Sequence, residues 1–154
     1  GIESDLETAR VKSQDALTSG KAAAIFEQMI SALGGPSDLL EKSHKHLVPM
    51  PIIRPIAANS SGYVLEMDAR AIGLSMIHLK AGRTKSSDPI DHGVGLSDIV
   101  EIGQWIDKGE PLAIAHTRDK KQLSYLQETI PGFISLGTKH IEPPTLIHEI
   151  LGSN

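Results

Sequence analysis

Cysteine is absent from all 154 residues, which excludes disulfides, thiolate metal sites and cysteine nucleophiles. Aromatic residues make up only 3%, namely Phe26, Tyr63, Trp105, Tyr125 and Phe133. So sparse a set gives no platform on which nucleobases could stack. Long apolar runs are missing too. The longest, Ala22 to Phe26, is far short of the roughly 20 residues that cross a bilayer. No charged-then-apolar leader opens the sequence, and the expectation is a soluble, cytoplasmic protein with no membrane partner. Excess positive charge is also lacking: 15 Lys and Arg against 19 Asp and Glu leave a formal charge of −4. A nucleic-acid binder would normally carry a basic face. What is present suits an ordinary folded domain, with 40% hydrophobic and 22% charged residues. The sequence starts at Gly1, and a capped helix begins almost at once, which reads as a piece of something longer.

Residues 3 to 19 read as a helix opened by Ser4-Asp5-Leu6-Glu7, a capping-box spacing, and closed by Gly20. Its apolar face is thin (Leu6, Ala9, Ala16, Leu17). A second helix carries Ala22, Ile25, Phe26, Met29, Ile30 and Leu33 at helical period, and Gly34-Gly35-Pro36 ends it. A short turn is expected over Ser37 to Lys42. Prolines at 49, 51 and 55 interrupt the apolar run Val48, Met50, Ile52, Ile53 and Ile56, which fits an edge strand better than a central one. Asn59 to Gly62 is a turn, and Tyr63 to Met67 alternates like a strand. Asp68 then caps a helix with Ala69, Ile72, Gly73, Met76, Ile77 and the stem of Lys80 on one face.

A polar loop fills 84 to 93. Strand-like stretches at Val94 to Val100 and Leu112 to His116 flank a middle rich in turns. Asp119 caps a helix with Leu123, Leu126 and Ile130 on one side, Pro131-Gly132 stops it, and Phe133 to Leu136 is a short strand. Leu146, Ile147, Ile150 and Leu151 form a last apolar piece. Helices first and mixed elements after give an α+β chain.

Several clusters invite a chemical reading. His44 and His46 stand two apart, but zinc needs three or four ligands and nothing nearby completes the set. Asp88, Asp91 and His92 could divide acid and base work if their environments separated their pKa values. Against that, Asp88 before Pro89 suits a loop-shaping turn. Lys80, Arg83 and Lys85 form a basic cluster after a helix. A phosphate site favours the opposite helix end, and cations here complement the dipole. Gly93-Val94-Gly95 matches no nucleotide-binding spacing. Ser97, in Gly95-Leu96-Ser97-Asp98-Ile99, lacks the second glycine of a nucleophile elbow. No catalytic, substrate-binding or metal residue is therefore assigned, and no cofactor is expected.

Two stretches carry a specific resemblance. One is Gly62-Tyr63-Val64 with Met67-Asp68-Ala69-Arg70-Ala71-Ile72-Gly73. The other runs from Gly82-Arg83 through Asp88-Pro89-Ile90-Asp91-His92-Gly93-Val94-Gly95 to Gly103 and Gly109-Glu110-Pro111-Leu112-Ala113. Their order and spacing resemble the carboxyl-terminal domain of the thymidine phosphorylase and pyrimidine-nucleoside phosphorylase family. Gly20-Lys21-Ala22-Ala23 and Gly34-Gly35-Pro36-Ser37-Asp38 resemble the helices that precede that domain.

The resemblance implies an α/β hammerhead, a barrel-like mixed sheet with a long helix, preceded by two to three linker helices. It divides the chain into 1–46, a helical segment belonging to or leading from an upstream α/β domain, and 47–154, the hammerhead. Intact members phosphorolyse thymidine or uridine, and their Lys-His-Ser-Thr-Gly-Gly phosphate motif has no counterpart here. The implied role is thus a non-catalytic part of a homodimeric enzyme. Its upstream domains would be the partners and would hold phosphate and nucleoside. An apolar patch, partly on the first helix, is expected where those domains pack.

Two other readings stand beside it. Val100 to Leu112 resembles the hairpin of biotinyl and lipoyl carrier domains, although Lys108 sits in the wrong half of that repeat. A complete small enzyme would have to use Asp88, Asp91 and His92. The glycines at 62, 82, 95, 103 and 109 are expected at turns or bulges.

Overall fold

Contacts along the chain separate two compact units, Gly1–Pro49 and Met50–Asn154. A computed structural model describes residues 3, 5–47 and 49–145. Ser4, Val48 and the apolar piece from Leu146 to Leu151 lie outside the described residues.

In the first unit, α1 runs Leu6–Thr18, α2 Lys21–Ala32 and α3 Ser43–His46. The helix expected from residue 3 begins at Leu6. Asp5 is its N-cap, accepting from the Thr8 N–H at 2.8 Å and from the Thr8 hydroxyl at 2.9 Å. Asp serves as well as Ser there, since either supplies an acceptor to an orphan N–H. Gly20, at φ 77°, turns the chain between the two helices. The stop after α2 is a Schellman motif: the Gly35 N–H reaches Ile30 O (2.9 Å) and the Gly34 N–H reaches Ser31 O (3.0 Å). The short helix α3 puts His44 and His46 on helical backbone.

No residue of α1, α2 or α3 is buried. The apolar stripe of α2 is open, with Ile25 64% and Leu33 78% exposed, and Leu6 and Leu17 on α1 are equally open.

The second unit holds the core. Its elements are β1 (Ile52–Ala57), β2 (Gly62–Met67), α4 (Ala69–His78), β3 (Gly95–Ser97), β4 (Trp105–Ile106), β5 (Pro111–Thr117), α5 (Lys120–Thr129) and β6 (Ile134–Gly137), with a 3-10 turn at Ile130–Phe133. The strands form two three-stranded sheets, β1-β5-β3 and β4-β2-β6, and every pairing is antiparallel. Among the described residues the two sheets close no barrel. The architecture is α+β with two small antiparallel sheets. Pro55 lies on β1 at a sheet edge, where its missing N–H interrupts no ladder.

Asp68 caps α4 through the Ala71 N–H at 2.8 Å, and Asp119 caps α5 through the Gln122 N–H at 2.8 Å. The buried face of α4 is Ile72 and Ser75, with Leu79 just beyond it. Ala69 and Gly73, expected inward, are exposed. On α5, Leu126 is fully buried with Ile130 following, and Leu123 packs beside them. Ile56, Val64, Leu112 and Ile106 complete the centre.

Of the five marked glycines, Gly103 and Gly109 take positive φ at turns. Gly62 has a different reason: a Cβ there would meet the Gly137 backbone at 2.9 Å, so β2 and β6 approach only because that side chain is missing.

Burial predicts a contrast between the units. Leu126→Ala should cost about 2–5 kcal/mol in urea denaturation because it empties a closed core. Leu17→Ala should change stability by under about 0.5 kcal/mol, as an exposed substitution does. Equal losses at the two positions would contradict the burial described.

Candidate functional site

The polar loop between α4 and β3 holds the residues most open to an acid–base reading, and the structure commits each carboxylate elsewhere. Asp88 Oδ2 accepts from the Thr84 hydroxyl (2.7 Å), the Lys85 N–H (2.9 Å) and the Thr84 N–H (3.1 Å). Led by the Thr84 hydroxyl, these donors hold its pKa below the ordinary value. Asp91 forms a two-pronged pair with Arg118: the guanidinium Nη2 donates to Oδ1 at 2.8 Å, and Nε donates to Oδ2. The Gly93 N–H adds a bond to Oδ1 at 3.1 Å. Arg118 is the main reason the Asp91 pKa falls from 3.8 to about 2. A carboxylate so stabilised as the anion is a poor proton acceptor near neutrality. His92 is exposed and joins neither acid in a hydrogen bond among the described residues. The three side chains do not form one constellation.

The histidine pair also separates. His46 Nε2 meets Asp38 Oδ1 at 2.7 Å, and Lys42 Nζ donates to Asp38 Oδ2 at 2.9 Å. Lys42 and then His46 hold the Asp38 pKa low. Asp38 thus ties the 37–42 turn to α3. Among the described residues no three His, Asp or Glu side chains gather as metal ligands.

Ser97 gains a partner that local sequence did not reveal. Its Oγ lies 2.9 Å from His116 Nε2 and donates to Asp98 Oδ2 at 3.0 Å. The pair forms because β3 and β5 are neighbours, with Gly95 opposite His116. A serine hydroxyl has one proton. With Asp98 accepting it, His116 must donate to Ser97 rather than withdraw from it, the reverse of nucleophile activation. Arg118 was missed for the same reason as His116. Its partner lies 27 residues away, and only the strand register brings the two together.

Lys108 lies in a turn after β4, where its N–H donates to Ser61 Oγ at 2.8 Å. That turn is no hairpin: β4 pairs with β2, whereas β5 pairs with β1 and β3. The carrier-domain likeness therefore loses its structural basis.

Comparison with known proteins gives these residues a context. Residues 63–136 match the family described as pyrimidine nucleoside phosphorylase C-terminal domain. The chain carries a pyrimidine nucleoside phosphorylase C-terminal domain. This phosphorylase domain lies wholly within the Met50–Asn154 unit and includes β5 and all of β2 except Gly62.

The chain is also similar to thymidine phosphorylases from Burkholderia orbicola strain MC0-3 (44% identity over 150 residues) and Burkholderia cenocepacia strain HI2424 (43%). A third relative, from Burkholderia lata, is 39% identical. In each case the match covers 97% of this chain but only 34% of the relative. The chain thus spans about a third of the length of those relatives, and the similarity reaches well beyond the phosphorylase domain into the helical unit.

The Asp91–Arg118 pair yields an acid-stability prediction. A depressed carboxylate pKa adds stability above the unfolded value and loses it as pH falls through the folded value. The window here runs from 3.8 down to about 2. Melting temperatures of the unsubstituted chain should fall through that window. Asp91→Asn, less stable at neutral pH, should show a shallower fall. Parallel curves would show that the pair contributes nothing to stability.

Proposed function

We propose that the chain is the carboxyl-terminal, non-catalytic part of a thymidine phosphorylase. The observation that carries this reading is the match of 97% of the chain to only 34% of each thymidine phosphorylase it resembles. The reaction of such an enzyme breaks the bond between sugar C1′ and base N1. A phosphate oxygen attaches to C1′, and thymine leaves with a proton, giving 2-deoxyribose 1-phosphate reversibly. The residues that hold nucleoside and phosphate for the reaction itself would lie in the other two thirds of the polypeptide. The structural use of Asp88 and Asp91 supports that placement, because neither acid is poised for proton transfer.

On this reading residues 1–46 belong to or lead from an upstream α/β domain, and 47–154 form a hammerhead domain of the family's type. The open apolar faces of α1 and α2 support the first part, since Leu17, Ile25, Met29 and Leu33 need a surface to cover them. The partners are then the upstream domains of the same enzyme, working as a cytoplasmic homodimer in nucleoside salvage. A rigid module of this kind would support domain closure over substrate without supplying a group to the reacting atoms.

The deciding assay is phosphate-dependent release of thymine from thymidine. The 154-residue chain should show no turnover, while the full-length polypeptide from the same source turns over. Activity that stays with the short chain through repurification would place the chemistry within it and overturn the reading. Inactivity of the full-length polypeptide on thymidine would remove the assigned reaction.

A further inference from the structure

The loop that leaves α4 is more elaborately built than a connection requires. Lys80 has φ 67°, a left-handed conformation that glycine adopts freely and lysine does not. Its N–H bonds to Ile77 O at 2.9 Å, the Ala81 N–H returns to Met76 O at 3.0 Å, and Lys80 O accepts from the Asp91 N–H at 2.8 Å. Arg83 Nε donates to Asp88 O at 3.1 Å, and the Asp88 N–H to Lys85 O at 3.0 Å. With the three bonds to Asp88 Oδ2, these contacts hold the segment in one shape.

The charges of this loop are sorted. Its acids are engaged, Asp88 by loop donors and Asp91 by Arg118. Its cations keep their charge uncompensated. Lys80, Arg83 and Lys85 are exposed, and none forms an ion pair among the described residues. This happens in a chain whose formal charge is −4. The helix dipole explains at most Lys80, because its influence fades beyond the last turn. Arg83 and Lys85 stand five and seven residues past the end of α4 at His78. Lys80 also lines a hollow of about 330 Å³ with Thr84, Asp88, Ile77, Gly82 and Pro89. Lys80 and Asp88 put one charge of each sign on its wall, while Arg83 and Lys85 stand exposed on the loop beside it.

We propose that the Lys80–Lys85 loop is a contact surface for the phosphate group, drawing the dianion toward the enzyme by its unpaired cations. Naming phosphate rests on the function proposed above, in which phosphate is consumed and a sugar phosphate released. The loop geometry itself calls only for a small oxyanion. The two sources, inorganic phosphate and 2-deoxyribose 1-phosphate, share this chemistry.

The test is a titration of the ¹⁵N-labelled 154-residue chain with sodium phosphate, sodium chloride holding ionic strength constant. Saturable shifts are expected in amides 80–89. They should weaken by about tenfold or more in Lys80→Gln/Arg83→Gln/Lys85→Gln, as removal of the attracting charges requires. Lys80→Gly, which relieves the backbone, serves as a second variant should the triple variant misfold, and should weaken the shifts partially. A parallel titration with 2-deoxyribose 1-phosphate separates the sources. Shifts with both ligands mean that the phosphate group suffices, and shifts with the ester alone make the sugar phosphate the ligand.

Shifts that are absent with both ligands, non-saturating, or unchanged by the substitutions overturn the proposal. In the full-length enzyme the triple variant should raise KM for phosphate several-fold with kcat held, an effect that shrinks as salt rises. A full-length protein without phosphorolysis would defeat the functional reading alone, since the titration reports on the loop independently.

Discussion

Strand β5 is the member on which the rest of the second unit depends. It lies between β1 and β3, and Leu112, Ala113, Ala115 and Thr117 along it are all buried. Two alanines in the middle of the strand keep that surface low, so α5 can pack against both β5 and β1. Leu126 and Ile130 then fill the space at full burial. The end of β5 also fixes its surroundings. Arg118 leaves the strand beside Asp91 and clamps the long polar loop, and Asp119 turns immediately into the cap of α5. A shift of one residue in the β1–β5 register would turn the buried set outward and carry Arg118 away from its carboxylate.

Local chemistry made some of this legible in the sequence. Asp68 and Asp119 announce helices because a side-chain acceptor three residues before a free N–H is a short-range arrangement. Leu123, Leu126 and Ile130 share one stripe of α5, with few competing apolar residues to confuse it. Pro55 marked an edge because proline lacks a donor wherever it sits. The face of α4 was legible only in part, for the opposite reason: Ile72 is buried and Met76 packs on the core as expected, whereas Ala69 and Gly73 are exposed. Ile72, Leu74, Met76, Ile77 and Leu79 surround that helix, so periodicity alone could not choose between neighbouring stripes. The two-sheet arrangement was hidden as well. Strand pairing is decided by contacts between distant segments, and β4 and β5 look like a hairpin until their partners are known.

The same distinction governs the candidate site. Asp88 and Asp91 are close in sequence to each other and to His92, and proximity made them look like a functional group. Their actual partners are Thr84 and Lys85 on one side and Arg118 on the other. Each acid is stabilised as an anion, and that is the reverse of what a shared acid–base site needs. The family resemblance was easier to read because it rests on ordered motifs, which survive without knowledge of the contacts. The match of residues 63–136 and the similarity of nearly the whole chain to thymidine phosphorylases agree with it.

The helical unit supplies the last step. Helices of 13 and 12 residues are near the length at which isolated helices are marginal in water. Capping and the Schellman stop help, yet each contributes only on the order of 1 kcal/mol. Burial of an apolar stripe is the usual remedy, and here the stripe exists but nothing among the described residues buries it. Ile25, Met29 and Leu33 lie on one face at helical period, in a region that matches far longer relatives, which is what the proposed covering surface would require. The second unit needs no such help, because β5 and α5 close its core. The chain therefore joins a unit with a closed core to helices whose apolar face is open. That asymmetry is what the proposed place within a larger phosphorylase explains.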